Sequence, residues 1–149
     1  MLVSRKKLLV EWGHCDPAGI VFFPQYLVWF DDCTTALLLD AGMPIQNLFK
    51  QHGVIGFPIV DLRARFILPS KFGDELIAES TVTKFGKSSF VVRHQILKAG
   101  ALAVEGFATR VWTASDPHDP SKMKSRSLPK EVIDRLSAAG AAADTKLHK

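Results

Sequence analysis

Twelve residues near the N-terminus, Gly13 to Pro24, read G-H-C-D-P-A-G-I-V-F-F-P and carry the chain's clearest chemical signal. They place one acid, Asp16, in a turn built from Pro17 and Gly19. A carboxylate held this way serves as a nucleophile or as a general base. The turn leads through a short apolar run to Pro24, a residue favoured at the first position of a helix. The cap then falls on Phe23, whose ring accepts no hydrogen bond. The free N–H groups of the first turn therefore lack a side-chain partner. A partly positive helix start beside a carboxylate suits an incoming oxygen that gains negative charge. One well-aimed donor of that kind is worth about 10²–10³ in rate. The competing reading of Asp16 is an Asx-turn, since Asp before Pro commonly forms one.

Asp31 lies between Leu27 and Thr34, on the apolar stripe expected for the helix that follows. A carboxylate there needs a partner, such as an arginine from a sheet, or a polar group on a substrate. Asp32 is rotated by about 100° and reads as the solvated acid. His14 tunes Asp16, or reaches a ligand, or points to the other face of the strand end. Cys15 has no histidine–acid pair to activate it and reads as a small packing residue. Adjacent His14, Cys15 and Asp16 rarely face one ion together, and no second cluster completes a ligand set, so no metal site is expected. His94 in mid-strand and His118 in a Pro-Asp loop read as structural or surface residues. Phe22, Tyr26 and Trp29 flank the turn and helix start, as the wall of an apolar pocket or as core packing.

Positioning these residues takes a strand, a turn and a long helix. Leu8, Val10 and Trp12 alternate with Leu9 and Glu11, the period of a strand. Leu27, Phe30, Thr34, Leu37, Leu38 and Ala41 recur at helical offsets, and Gly42 with Pro44 closes that helix. A second short helix is expected over Ile45 to Gln51. Val60, Leu62, Ala64 and Phe66 alternate with Asp61, Arg63 and Arg65 as a half-buried strand. Glu75 to Phe85, Ser89 to Leu97 and Leu102 to Thr113 are separated by Gly86-Lys87 and Ala99-Gly100, the pattern of an antiparallel meander. Strand, long helix and four further strands make an α+β order, one helix covering one face of one sheet. A last short helix is expected over Pro129 to Ala139. Residues 137–149, rich in alanine and charge, read as a flexible tail behind a single domain at 1–136.

The 149 residues, 47% of them hydrophobic, suit one domain with an ample core. Nineteen Lys and Arg against 15 Asp and Glu give a net charge of +4, mild and scattered. That balance favours a small anionic ligand over nucleic acid. No apolar run approaches the roughly 18 residues of a membrane span. Arg5-Lys6-Lys7 followed by Leu8-Leu9-Val10 is too brief for a signal peptide. Cys15 and Cys33 make no disulfide framework, so a reducing, cytoplasmic setting is expected.

Four stretches in order resemble one known family: Cys15 to Val21 (C-D-P-A-G-I-V) continued by Phe22-Phe23-Pro24, then Trp29-Phe30-Asp31, Gly56-Phe57-Pro58-Ile59-Val60 and Ser89-Phe90-Val91-Val92-Arg93-His94. The family is the hotdog-fold acyl-CoA thioesterases, of the 4-hydroxybenzoyl-CoA thioesterase type, and the likeness covers about residues 6 to 130. It implies a long helix wrapped by a curved antiparallel sheet. It also implies a homodimer with active sites at its interface, commonly paired into a homotetramer. The implied reaction is hydrolysis of an acyl-CoA, most often an aromatic one of hydroxybenzoyl type, to free acid and CoA. No cofactor is implied, because coenzyme A is part of the substrate. By this resemblance Asp16 is the catalytic carboxylate, which attacks the thioester carbon to give a mixed anhydride or draws a proton from water. The Phe23 N–H holds the thioester oxygen, and Asp31 meets a para-hydroxyl. Basic residues near Lys87 and Lys124 contact the nucleotide phosphates, with Lys84, Lys122 and Arg126 as further candidates; Gly86 and Ser88 replace basic residues of the archetype around Lys87. Ser88 and Ser89 are candidates to position water. Two other outcomes stay open: a broad short-chain or aliphatic acyl-CoA thioesterase, and a non-catalytic acyl-CoA binder on the same fold.

Overall fold

The computed structural model describes residues 1–138. The tail expected at 137–149 falls, beyond Ala138, outside the described residues. In chain order the elements are β1 (Ser4–Leu9), a 3-10 turn (Trp12–His14), α1 (Pro24–Asp40), α2 (Ile45–His52), β2 (Val54–Gly56) and β3 (Ile59–Phe66). They continue with β4 (Glu75–Phe85), β5 (Ser89–Lys98), β6 (Ala101–Val111), β7 (Thr113–Ser115), β8 (Met123–Ser125) and α3 (Lys130–Ser137). Five strands form an antiparallel sheet in the order β1-β4-β5-β6-β3, and β2-β7-β8 form a smaller one. The β4-β5-β6 meander is the one the turn residues imply. Register shifts at Ile59/Asp61, Val82/Lys84 and Ile96/Leu97 bend the strands, which curves the sheet.

Helix α1 lies on this sheet through Tyr26, Trp29, Phe30, Cys33, Thr34, Leu37 and Leu38, a stripe repeating every three to four residues. Each fully buried apolar side chain of that stripe contributes about 1.5–3 kcal/mol. Its N-terminal half packs with Leu8, Val10, Leu76 and Ile96, its C-terminal half with Val82, Phe90, Val92 and Trp112. Gly42, at φ +74°, ends the helix as the left-handed cap expected of it. Gly106 of β6 admits the helix: a Cβ there would overlap the Phe30 ring.

Several expectations are corrected. The first strand ends at Leu9, not Trp12, because Glu11 and His14 cap a 3-10 turn reciprocally; Trp12 is left 79% exposed. The helix stripe is centred one residue earlier than expected, so Leu27 and Ala41 sit at its margins and Asp31 lies off it. The β3 strand is less buried than its alternation suggests, with Val60 and Phe66 exposed and only Leu62 and Ala64 packed on the core. It is an edge strand, hydrogen-bonded on one side only, to β6. The last long strand divides at Trp112, and its continuation joins the smaller sheet. The closing helix starts at Lys130, with Pro129 as its cap.

Candidate active site

The turn at Asp16 is built from its own main chain. Asp16 N–H donates to Ile20 O at 3.0 Å and Gly19 N–H donates to Asp16 O at 2.9 Å. Ala18 N–H donates to Asp16 Oδ1 at 2.9 Å, which completes an Asx-turn. That turn uses one carboxylate oxygen; Oδ2 has no hydrogen-bond partner among the described residues. The half-buried Asp16 lines a cavity of about 500 Å³ with Trp12, Cys15, Pro17, Gly19 and Phe72. The structural and the chemical readings of Asp16 are therefore compatible.

The chain then folds back on itself: Phe22 N–H donates to His14 O at 2.9 Å and Val21 N–H to Ser70 O at 2.8 Å. This clamp delivers Phe23 in helical conformation (φ −56°, ψ −33°) as an N-cap with no side-chain hydrogen bond. Phe22 O and Phe23 O accept from Gln25 and Tyr26, while the Phe23 N–H donates to no acceptor among the described residues. Phe23 lines a cavity of about 270 Å³ with Ile20, Tyr26, Phe66, Ile67 and Leu68. Asp16 and Phe23 thus line neighbouring cavities, with Gly19 on one and Ile20 on the other.

The flanking residues divide into packing and surface. His14 Nδ1 accepts the Glu11 N–H at 2.9 Å, and its ring meets Trp29 edge-on at 5.2 Å. It braces the strand end and makes no hydrogen bond to Asp16. Trp29 and Tyr26 are core residues, though Tyr26 also lines the Phe23 cavity, and burial pushes its phenol pKa up. Phe22 is exposed. Cys33 lies deep in the core, its thiol pushed up to about 11 by burial.

Asp31 has an arginine partner from the sheet, although its side chain is 69% exposed. Arg110 Nη2 donates to Asp31 Oδ1 at 2.7 Å, and Arg110 Nη1 donates to Phe57 O at 3.1 Å. The pair opens on a second cavity of about 500 Å³, walled by Ile45, Phe49, Phe57, Pro58 and Ile59. This cavity shares no lining residue with that of Asp16. Arg110 was missed from the sequence, yet its signal was present. Val104, Gly106, Ala108 and Arg110 alternate inward along β6, and an inward arginine requires an acceptor.

Beneath this pair lies a buried polar cluster. His94 stacks on Phe30 with centroids 4.7 Å apart, its Nδ1 is 2.7 Å from Ser80 Oγ, and its Nε2 is 3.5 Å from Thr34 Oγ1. Burial, and then the nearby Arg110 charge, push its pKa down to about 3, so the ring is neutral.

Lys87 and Lys124 lie on segments that one main-chain hydrogen bond links. Leu128 N–H donates to Lys87 O at 2.9 Å, which ties the segment after Lys124 to the turn carrying Lys87. Both side chains are exposed, and neither forms an ion pair among the described residues. Lys122 instead pairs with Asp119 at 3.6 Å.

No helix among the described residues is long and apolar enough to cross a membrane. The model of the thioesterase-like superfamily matches residues 10–136. The chain is 35% identical over 134 residues to the 4-hydroxybenzoyl-CoA thioesterase of Pseudomonas sp. (strain CBS-3), covering 86% of this chain and 93% of that one. It is 28% identical over 137 residues to the 1,4-dihydroxy-2-naphthoyl-CoA hydrolase of Synechococcus sp. (strain WH7803), covering 86% and 90%. Among solved structures, a 4-hydroxybenzoyl-CoA thioesterase variant complexed with 4-hydroxybenzoyl-CoA superposes with a TM-score of 0.84 at 26% identity, covering 91% of this chain and 99% of that one. The motif in the turn, the α+β order and these matches agree: the chain belongs to the thioesterase-like superfamily, as a hotdog-fold acyl-CoA thioesterase.

Proposed function

We propose that the protein hydrolyses the thioester of a hydroxylated aromatic acyl-CoA, at a site assembled from two copies of the chain. The observation that carries the chemistry is that two groups on neighbouring cavities, an Asp16 oxygen and the Phe23 N–H, both lack a hydrogen-bond partner among the described residues. In this reading the thioester oxygen sits on the Phe23 N–H and sheds charge onto the helix start as the carbon becomes tetrahedral. Asp16 either attacks that carbon, expelling the CoA thiolate and leaving a mixed anhydride for water, or takes the proton of the attacking water. The acyl class comes from the relatives, one named for 4-hydroxybenzoyl-CoA and one for 1,4-dihydroxy-2-naphthoyl-CoA. Asp31, on an apolar-walled cavity, is the acceptor for a ring hydroxyl.

Assembly from two chains follows from where the cavities abut β3. The Asp31 cavity meets the start of that strand at Pro58 and Ile59, and the Phe23 cavity meets its end at Phe66 and Leu68. This edge strand exposes Ile59, Val60 and Phe66, which suits pairing with a second copy. Two-fold antiparallel pairing sets the start of one β3 against the end of the other. The partner subunit's Asp31 then reads the acyl ring while Asp16 and Phe23 hold the thioester. Lys87 and Lys124 take the nucleotide phosphates, the dimers pair into a tetramer, and the unpaired Cys15 and Cys33 suit a reducing cytoplasm.

Thiol release across a panel of CoA esters tests the substrate class. We expect kcat/KM for 4-hydroxybenzoyl-CoA to exceed that for benzoyl-CoA by about tenfold or more, and Asp31→Ala to erase the difference. Preference for acetyl- or butyryl-CoA would instead make this a short-chain thioesterase. Binding of all esters without thiol release would make it an acyl-CoA binder.

A further inference from the structure

We infer that Arg110 is a positioning residue for recognition of the acyl ring's hydroxyl, acting through Asp31. The inference rests on the reading that Asp31 accepts that hydroxyl. Arg110 and Asp31 form an uneven pair: the arginine side chain is 6% exposed and the aspartate 69%. An ion pair with one member in solvent contributes little stability. Arg110 Nε is buried with no hydrogen-bond partner among the described residues, which is itself unfavourable. Stability therefore gives a poor reason for an arginine in this place.

Direction gives a better one. The guanidinium is planar and rigid, so fixing it at two points fixes everything bonded to it. Nη1 is anchored on Phe57 O at 3.1 Å, and Nη2 then holds Asp31 Oδ1 at 2.7 Å. Oδ2 of Asp31 accepts no hydrogen bond among the described residues, and Asp31 lines the cavity. Phe57 and Ile59 wall that same cavity, so the residue that anchors Arg110 also borders the space for the ring. Arg110 is the one basic residue among those lining it. An Asp31 carboxylate with one oxygen held and the other free is complementary to a hydroxyl donor entering this cavity. A carboxylate already turned toward its ligand loses little freedom on binding.

The test is the ratio of kcat/KM for 4-hydroxybenzoyl-CoA to that for benzoyl-CoA. It is measured in the wild type, Arg110→Lys, Arg110→Met, Asp31→Ala and the double variant Arg110→Met with Asp31→Ala. Asp31→Ala should lower the ratio about tenfold or more, and Arg110→Met should lower it by a similar factor. Arg110→Lys should restore part of it, since a lysine keeps the charge but not the fork. The double variant should fall no further than Asp31→Ala alone, because the two residues act in series. A ratio that drops in Asp31→Ala but holds in both Arg110 variants overturns the inference and leaves the hydroxyl reading standing. A ratio untouched by Asp31→Ala removes the hydroxyl reading, and the inference with it. Should the Arg110 variants not fold, the wild type crystallised with a non-hydrolysable thioether analogue of 4-hydroxybenzoyl-CoA decides. The phenol oxygen on Asp31 Oδ2, with Arg110 still on Oδ1, supports the inference. A phenol bonded to the guanidinium, or a separated pair, contradicts it.

Discussion

Asp16 and Asp31 are held in opposite ways. Asp16 is fixed by the main chain of its own turn, through hydrogen bonds that span no more than four residues. Asp31 is fixed by a guanidinium 79 residues away, on the far side of a helix–sheet contact. A turn-held carboxylate keeps a free oxygen without relying on the core. A sheet-held carboxylate is only as well placed as the packing beneath it, here Phe30, His94 and Gly106. Under the proposed function, reaction falls to local geometry and recognition to long-range geometry.

The sharpest way to break this contrast is Asp16→Asn. Its kcat should fall about 10²–10⁴-fold, while its unfolding free energy in urea stays within about 0.5 kcal/mol of wild type. A large loss of stability would place Asp16 among the structural residues instead. Gly106→Ala should show the reverse behaviour. Its Cβ must displace the Phe30 ring, at a cost of about 1–3 kcal/mol in urea unfolding. An unchanged midpoint would mean that the helix has room to move.

His94 extends the contrast to pH. Its folded pKa of about 3 lies well below the unfolded value of 6.5, so between those values the unfolded chain binds a proton that the folded chain refuses. Stability therefore falls as pH drops below about 6.5, by about 2 kcal/mol between pH 7 and pH 5 from this ring alone. Replacing His94 by Gln should flatten that slope; an unaltered slope would assign it to other groups. The smallest effects belong to the surface. Lys87→Ala and Lys124→Ala should each raise KM by no more than about fivefold and leave kcat nearly unchanged. A change confined to kcat would remove them from phosphate binding.

What was legible in the sequence follows the same division. The Asp16 turn and the uncapped helix start are short-range features, and both were readable from residue type and spacing. The meander was readable because its turn residues stand between strongly alternating runs. Asp31 was singled out for the right need and the wrong reason: it required a partner, but the helix stripe runs one residue earlier. Arg110 escaped because its acceptor lies 79 positions away, and only the inward row of β6 hinted at it. Trp12 was misplaced because a 3-10 turn capped by Glu11 and His14 interrupts the alternation. The weak burial of β3 reflects its place at the sheet edge, which no local pattern encodes.

The central claim, one site built from the Asp16 end of one chain and the Asp31 end of another, has a direct test. Differently tagged chains carrying Asp16→Asn and Asp31→Ala are co-expressed, and the hybrid dimer is isolated and assayed with 4-hydroxybenzoyl-CoA. If the two carboxylates come from different chains, each hybrid has one intact site and recovers about half the wild-type rate. A hybrid no faster than the Asp31→Ala homodimer would contradict the account.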